Sequence, residues 1–208
     1  MITVWGGQTS RSIRVVWLLE EMGLPYRIRQ VDMLAPERDP EFLVVNPDDY
    51  IPAIQDGDVV MVESIAIMAY LMARYGPTPL APDPHDPNFA AYQQFLHLGE
   101  AGLATLMMPV VVSRFLAPEA ERENWGATWC LGAFQKRLKL VNQRLASSPY
   151  LAGEDFTAAD ISVSYALNLG QRNCGITLGE AEQAYLARTT GRDAYKRAMM
   201  RSHDGINA

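Results

Sequence analysis

The sequence predicts an α/β N-terminal domain followed by an all-α helical-bundle domain, and three observations support this fold class. Residues 1–76 alternate short strand patterns with helical patterns. Residues 76–88 hold five prolines in 13 residues, which is typical of an extended linker. From Phe89 onward, strand patterns give way to long helical ones. We therefore expect a first domain at 1–78, a linker at 79–88 and a second domain at 89–208.

The first domain begins with a strand and a helix. Residues 2–5 are short and apolar, and a Gly-Gly loop follows them. From Ile13, apolar residues recur at helical spacing. Gly23 is placed to cap this helix at its C-terminus, and Pro25 is placed to end it.

A second strand, a hairpin and another long helix complete this domain. Residues 26–31 alternate between apolar and polar side chains, as a half-exposed strand does. The polar, proline-containing stretch that follows, up to Glu41, predicts a loop with one irregular helix. The pair Asp56-Gly57 between two apolar runs is a strong hairpin signal. Residues 64–75 have a helical pattern that Gly76-Pro77 ends.

Helical patterns fill the second domain. Pro109 is expected to kink the first of its helices near the middle. Thr157 and Asp160 have the spacing of a capping box, so we expect both to serve folding rather than chemistry. The predicted helices span residues 89–115, 119–146, 157–169, 180–187 and 193–200.

Composition limits the class of function. A net charge of −6 argues against nucleic-acid and anionic-membrane partners, which require clustered Lys and Arg. Apolar runs stay shorter than the roughly 20 residues that span a bilayer. The first residues lack the layout of a signal peptide, and Cys130 and Cys174 lack redox-motif or zinc spacing. We expect two buried, reduced thiols, a cytoplasmic protein and no metal site.

The chemistry is suggested by a loop and a helix start. Residues 46–54 form a loop with a proline before a strand, and Glu63 and Ser64 open the helix that follows the hairpin. The start of a helix attracts a carboxylate, and a Glu beside it can meet an amine. The pair therefore suits an α-amino acid group such as the γ-glutamyl end of a peptide. The alternative is that Ser64 is only an N-cap and Glu63 a first-turn charge.

Three ordered motifs resemble those of cytosolic glutathione S-transferases. NPDDYIPAI, DGD and MVESIAIMAYL resemble the second half of that family's thioredoxin-like domain. SRSIRVVWLLEEMGLPY resembles its first helix and the start of its second strand, and FTAADI resembles its C-terminal capping signature. The likeness covers essentially the whole chain. It implies a thioredoxin-like N-terminal domain and a helical C-terminal domain.

The resemblance implies conjugation of reduced glutathione to an electrophile, a detoxification reaction. The thiolate is the nucleophile, and a hydroxyl at the start of the first helix helps to lower the thiol pKa. Ser10, Thr9 and Ser12 are the candidates, in that order of preference. The alternative is that one of these hydroxyls is only the helix N-cap.

The resemblance also implies contacts with the rest of the peptide. Ile51-Pro52 corresponds to a cis-proline step whose backbone pairs with the cysteinyl part, and Glu63 and Ser64 correspond to the γ-glutamyl site. Asp49 and Tyr50 stand where the family often has Gly and Lys, so a lysine contact to a glutathione carboxylate is missing there.

A hydrophobic second substrate is expected against the helix 89–115. Its predicted contacts are Met107 and Met108, part of an apolar stripe with Leu103 and Val111. The alternative is that this stripe is plain core of the helical bundle.

The resemblance implies a homodimer that uses glutathione as co-substrate and requires no metal. Two other functions remain open at this point. One is a glutathione-dependent reductase or peroxidase, although the position of the family's reactive cysteine falls near Arg11. The other is a transferase-like binding or regulatory protein without turnover.

Overall fold

The computed structural model describes residues 1–7, 10–33 and 35–204, which fold into two compact units. The first unit comprises residues 1–78 together with the chain from Gly191 onward, and the second is Pro79–Thr190. The assignment of the last segment to the helical domain is therefore wrong. Its helix packs against the first helix of the chain instead, through contacts given below.

The first unit is built on a four-stranded mixed sheet. The order of its strands is β2-β1-β3-β4, with β1 parallel to β2, and with β3 antiparallel to both β1 and β4. This is the predicted α/β, thioredoxin-like arrangement, which is confirmed. The strands are β1 Ile2–Gly6, β2 Tyr26–Gln30, β3 Ala53–Asp56 and β4 Val59–Val62, and the helices are α1 Ser12–Met22, α2 Pro40–Val45 and α3 Ser64–Tyr75.

The parallel pair β1 and β2 positions the site. Gly6, the last residue of β1, lies opposite Gln30, the last residue of β2. Both strands therefore end at the same edge of the sheet, and the chain that leads into α1 and the chain that leads toward α2 start side by side. Gly23 caps α1 in the left-handed conformation, with φ 64°, as predicted.

The helix α1 is buried on all sides over its first two turns. Every residue from Ser12 to Leu19 is buried, including Arg14. An apolar face alone does not require this, because a surface helix buries only one stripe. The burial arises because the sheet, α3 and a C-terminal helix all pack around α1.

The C-terminal helix, α9 (Asp193–Asp204), and Arg192 just before it are joined to α1 by a ring contact and by charged hydrogen bonds. The ring of Tyr195 packs edge-on against Trp17, with centroids 4.7 Å apart. Arg192 donates to both carboxylate oxygens of Glu21, at 2.6 and 2.7 Å. Arg197 donates to Glu20 at 2.7 Å.

The second unit is helical, as predicted. The helix predicted from residue 119 begins only at Trp125, after a 3₁₀ turn at Glu119–Glu121. Its other elements are α4 Phe89–His97, a π-helical segment Leu98–Ala104, α5 Thr105–Phe115, α6 Trp125–Leu145, α7 Ala158–Cys174 and α8 Glu180–Thr190.

The stretch Phe89–Phe115 runs without interruption through α4, the π segment and α5. The π segment was not predicted, and α5 continues through Pro109. Gly99 in this segment lies against α7, where a Cβ would be 2.3 Å from Ser162 Oγ, and that hydroxyl donates to Leu96 O at 2.8 Å. By length and composition alone Phe89–Phe115 could cross a membrane, but half of its most apolar part is buried, as in a core helix.

The capping box at the start of α7 is confirmed. Asp160 Oδ2 accepts from the N–H of Thr157 at 2.8 Å. The other oxygen of this carboxylate accepts from the N–H of Leu151 at 3.0 Å and from the hydroxyl of Tyr185 at 2.9 Å. Burial raises the pKa of Asp160, while these donors oppose the shift.

Candidate functional site

Two serine hydroxyls bind the peptide group of Gly7, which follows β1. Gly7 N–H donates to Ser12 Oγ at 2.8 Å, and Ser10 Oγ donates to Gly7 O at 2.9 Å. The two hydroxyl oxygens lie 2.7 Å apart. Ser10 Oγ also accepts from the N–H of Ser12 at 3.3 Å, so it satisfies one amide of the first turn. The two hydroxyls and the Gly7 peptide group thus form one small hydrogen-bond network.

The three predicted hydroxyls have different positions. Thr9 lies outside the described residues. Ser10 is half-buried and remains accessible. Ser12 has no exposed surface, so its predicted contact with a substrate is wrong. Its burial results from close packing, because a Cβ on Gly6 would lie 2.5 Å from Ser12 Cβ.

The number of hydroxyl hydrogens on Ser10 and Ser12 determines how Ser10 can donate to a bound anion. Each hydroxyl has one hydrogen to donate. Ser12 Oγ accepts from Gly7 N–H and can direct its own hydrogen to Ser10 Oγ. Ser10 then has an acceptor position filled, and its one hydrogen, which Gly7 O accepts in this structure, can turn to an anion instead, while Gly7 O lies 3.2 Å from Ser12 Oγ. A hydroxyl that accepts one hydrogen bond donates a stronger one, so Ser12 supports Ser10 as a donor to an anion.

The start of α3 differs from the interpretation in which Ser64 is only an N-cap. Glu63, not Ser64, is the N-cap residue, and its side chain makes no capping hydrogen bond with any described residue. Glu63 is exposed and has φ 70°, which is uncommon for a residue other than glycine. Ser64 is the first residue of α3 and is 4% exposed. The interpretation of Ser64 as an N-cap is therefore wrong.

Arg14 lies beneath Ser64. Its Nη1 donates to Ser64 Oγ at 3.2 Å, and its side chain has no exposed surface. Because a guanidinium only donates, Ser64 keeps its own hydrogen to donate elsewhere. The buried positive charge adds to the positive end of the α3 dipole, and both attract an anion to this helix start.

The proline loop adjoins the start of α1. The Ile51-Pro52 bond is cis, as the resemblance implied. Pro52 is buried, whereas Tyr50 is 69% exposed and its carbonyl accepts from Asn46 Nδ2 at 2.6 Å. Ile51 Cβ lies 3.8 Å from the position of a Cβ on Gly6, so the loop lies beside the turn that carries Ser10 and Ser12.

An ion pair occupies the part of this loop where the family often has Gly and Lys. Asp49 has φ 58° and accepts from Arg38 Nε at 2.6 Å. The guanidinium also donates to the carbonyls of Asp32 and Met33. Arg38 thereby joins the chain after β2 to the proline loop, beside a cavity of about 380 Å³.

The two predicted methionines are not equivalent. Met107 has no exposed surface, and its carbonyl accepts from Cys174 Sγ at 3.8 Å. The predicted role of Met107 in substrate contact is therefore wrong in this structure, because it is a core residue. Leu103 is likewise fully buried. Met108 and Val111 are half-buried.

The structure thus brings Ser10, Ile51, Glu63 and Ser64 together around the carboxyl end of β1, within the first unit. Sequence reasoning does not predict the burial of Arg14. The signal was available, because Arg14 is the one charged residue within the run Ser12 to Leu19, whose other members are apolar after the first serine. The contacts of Gly7 and Gln30 with each other have no comparable local signal.

A family model, curated sequences and solved structures of the same kind of protein are all similar to this chain. Residues 1–73 match the family model described as "Glutathione S-transferase, N-terminal domain". Glutathione S-transferase 3 of Zea mays is 32% identical over 155 residues, which cover 71% of this chain and 68% of the maize protein. Glutathione S-transferase GstB of Escherichia coli is 27% identical over 207 residues, which cover 96% and 98%. The crystal structure of the theta class glutathione S-transferase from Xanthomonas axonopodis pv. citri with glutathione bound superposes with a TM-score of 0.80 at 30% identity, over 96% of this chain and 97% of that one.

Proposed function

The chain belongs to the glutathione S-transferase family, and on that premise we propose that it binds reduced glutathione in its first unit and conjugates the thiolate to small hydrophobic electrophiles. The observation that carries this proposal is the buried Arg14 that donates to Ser64 at the start of α3. The buried positive charge and the positive end of the α3 dipole act together at Ser64. Both attract the α-carboxylate of a γ-glutamyl group.

In this proposal the start of α3 binds the amino-acid end of the peptide, and the proline loop binds its cysteinyl part. Ser64 donates its remaining hydroxyl hydrogen to the carboxylate, and the N–H groups of the first turn of α3 add to that contact. The exposed carboxylate of Glu63 pairs with the α-amino group. Ile51 pairs its backbone with the cysteinyl part, with Pro52 and Tyr50 beside it.

Ser10 is the proposed partner of the sulfur. A free thiol has a pKa near 8.5 and is only a few per cent ionised at neutral pH. A hydroxyl donor and the positive end of α1 both favour the thiolate. The thiol loses its proton to solvent, the sulfur forms a bond to the electrophilic carbon, and a displaced group such as chloride leaves with the bonding electrons. Thr9, the preceding residue in the sequence, is the second candidate for this contact with the sulfur.

The remaining features are proposed from the family. Met108, half-buried on α5, is the predicted contact to the hydrophobic electrophile that remains after Met107 is excluded. Glutathione serves as co-substrate, the protein acts as a homodimer in the cytoplasm, and neither nucleic acid nor a membrane is a partner. A reductase or peroxidase based on a reactive cysteine has no support, because Cys130 and Cys174 are both buried in the second unit.

Calorimetry and a conjugation assay test the proposal together. We expect reduced glutathione to bind, and an aromatic chloride activated by nitro groups to be conjugated. Ser10→Ala should lower kcat/KM by about tenfold or more, or 1.4 kcal/mol, and Thr9→Ala should change it less. Failure to bind glutathione would sink the proposal, and binding without turnover would favour the regulatory alternative. If only Thr9→Ala slows turnover, the thiol partner is Thr9.

A further inference from the structure

The C-terminal helix reaches the strand end next to the Ser10 network through one side chain, Gln30. Its Nε2 donates to the carbonyl of Ser202 on α9 at 3.1 Å, although the two residues are 172 positions apart. Ser202 is fully buried, so the accepting carbonyl belongs to a well-packed turn of α9. Gln30 is the last residue of β2 and pairs in register with Gly6.

The carboxamide of Gln30 lies directly on Gly7. A Cβ built on Gly7 would be 1.8 Å from Gln30 Oε1 and 2.5 Å from its Cδ. The carboxamide therefore occupies the space that a side chain at Gly7 would need. Gly7 has φ 130°, a conformation that favours glycine for a second reason.

The Gly7 peptide group in turn holds both serines. Its N–H binds Ser12 Oγ at 2.8 Å, and its carbonyl accepts from Ser10 Oγ at 2.9 Å. When Ser10 turns its one hydrogen from Gly7 O to the thiolate, Gly7 still positions Ser10 through Ser12, whose Oγ accepts from Gly7 N–H and lies 2.7 Å from Ser10 Oγ. Continuous contacts therefore lead from Ser202 through Gln30 and Gly7 to Ser10.

We propose that Gln30 is a positioning residue through which α9 fixes the Gly7 peptide group, and with it the orientation of the Ser10 hydroxyl toward the thiol. This inference rests on the proposed function of Ser10. It assigns to the C-terminal helix a part in the thiol site, although α9 follows the whole helical domain in the sequence. Preorganised donors are the main source of electrostatic stabilisation at such sites, so a looser Gly7 weakens the donor without removing it.

Gln30→Met tests the inference because it keeps the size of the side chain, removes the donor to Ser202 and adds no charge. Gln183→Met is the matched control, since Gln183 Nε2 also donates to a backbone carbonyl, that of Leu178 at 2.7 Å, but in the helical unit. The readout is the pKa of the thiol of bound glutathione, followed by thiolate absorbance in the ultraviolet as pH is varied. Loss of fold stability alone does not move this pKa.

We expect Gln30→Met to raise the pKa of the bound thiol and to lower kcat/KM at neutral pH by about threefold to tenfold, with binding of glutathione little changed. The rate should recover at high pH, where the thiol ionises without help. Gln183→Met should leave both quantities unchanged. Tyr195→Ala, which loosens α9 on Trp17 without touching Gln30, should raise the thiol pKa in the same direction.

The same titration with Ser10→Ala separates the two proposals. If Ser10→Ala raises the thiol pKa and Gln30→Met does not, the inference about Gln30 is overturned while the role of Ser10 stands. If neither substitution changes the pKa, the proposed role of Ser10 is wrong, and the inference about Gln30, which rests on it, is overturned as well. If Gln30→Met shifts the pKa equally with and without the Ser10 hydroxyl, Gln30 acts by another route and the inference is again overturned.

Discussion

Arg14 and Ser64 are 50 positions apart in the sequence and are joined by a hydrogen bond of 3.2 Å in the interior of the first unit. One residue comes from α1 and the other opens α3, so the bond fixes the relative position of the two helix starts. It also fills an acceptor position of the Ser64 hydroxyl, whose own hydrogen can be donated elsewhere. The proposed sulfur site at Ser10 and the proposed carboxylate site at Ser64 are thus built on neighbouring turns.

Substitution of Arg14 should weaken glutathione binding more than the chemical step. Arg14→Met removes the buried charge and leaves Ser64 Oγ without that donor, so we expect the Kd for glutathione to rise about tenfold or more. kcat at saturating glutathione should change less. Calorimetry and steady-state kinetics measure the two effects.

The control for this change is Arg27→Met. Arg27 lies on β2, is exposed, and donates from Nε to Thr3 Oγ1 at 2.8 Å. Circular dichroism verifies that both variants fold. Equal losses of affinity in the two variants would contradict a specific role for Arg14.

Removal of the Ser12 hydroxyl should destabilise the protein although Ser12 touches no substrate. Ser12→Ala leaves the buried N–H of Gly7 without its acceptor, which costs about 1–3 kcal/mol. It also removes the donor that supports Ser10, so the pKa of the bound thiol should rise. Urea unfolding and the thiolate titration measure the two effects.

Ser164→Ala serves as the comparison for Ser12. It removes a buried hydroxyl from the helical unit, where Ser164 Oγ donates to Thr189 Oγ1 at 2.8 Å. This change should affect stability alone. A thiol pKa that stays constant in Ser12→Ala would argue against hydrogen-bond support of Ser10.

Local patterns predicted the parts of the fold that depend on local chemistry. Gly23 takes the left-handed conformation because only a residue without Cβ adopts it cheaply, and the Thr157 and Asp160 capping box depends on two residues in one turn. The burial of Arg14 and Ser12 depends on elements that meet from distant parts of the sequence. The periodicity of one helix does not predict which distant elements will cover its surface.

The placement of α9 shows the same limit. Its amphipathic pattern predicts a helix but does not name the partner of its apolar face. Position in the sequence suggested the helical domain, whereas Tyr195 of α9 packs on Trp17 of α1. Arg197 of α9 binds Glu20, and Arg192, just before α9, binds Glu21.

The carboxylate of Asp160 should be indispensable for the helical unit. Asp160→Asn places an NH₂ group against one of the donors from Thr157, Leu151 or Tyr185, so we expect a loss of about 2–4 kcal/mol in the free energy of unfolding. Thermal unfolding followed by circular dichroism measures this loss. Asp155→Asn, at an exposed site just before the cap, should cost less than about 0.5 kcal/mol.

The attachment of α9 should depend on pH through Glu20. Burial raises the pKa of this carboxyl, but the hydrogen bonds from Tyr26 and Arg197 and the charges of Arg201 and Arg197 lower it more, so the net shift is downward from 4.5. A carboxyl with a lowered pKa in the folded state adds stability above its unfolded pKa. That contribution is lost as pH falls through the lowered value.

Glu20→Gln should therefore cost about 1 kcal/mol at neutral pH, since its arginine partners are half-exposed and screened by solvent. The difference from the unsubstituted protein should shrink as the pH falls below about 4, where protonation of Glu20 removes the same charge. Urea unfolding at neutral and acidic pH measures both values. Asp193→Asn, which breaks the exposed pair with Lys196 and leaves Glu20 in place, should show no such difference at either pH. A constant gap between Glu20→Gln and the unsubstituted protein across this range would show that packing, rather than the charge of Glu20, holds α9 on α1.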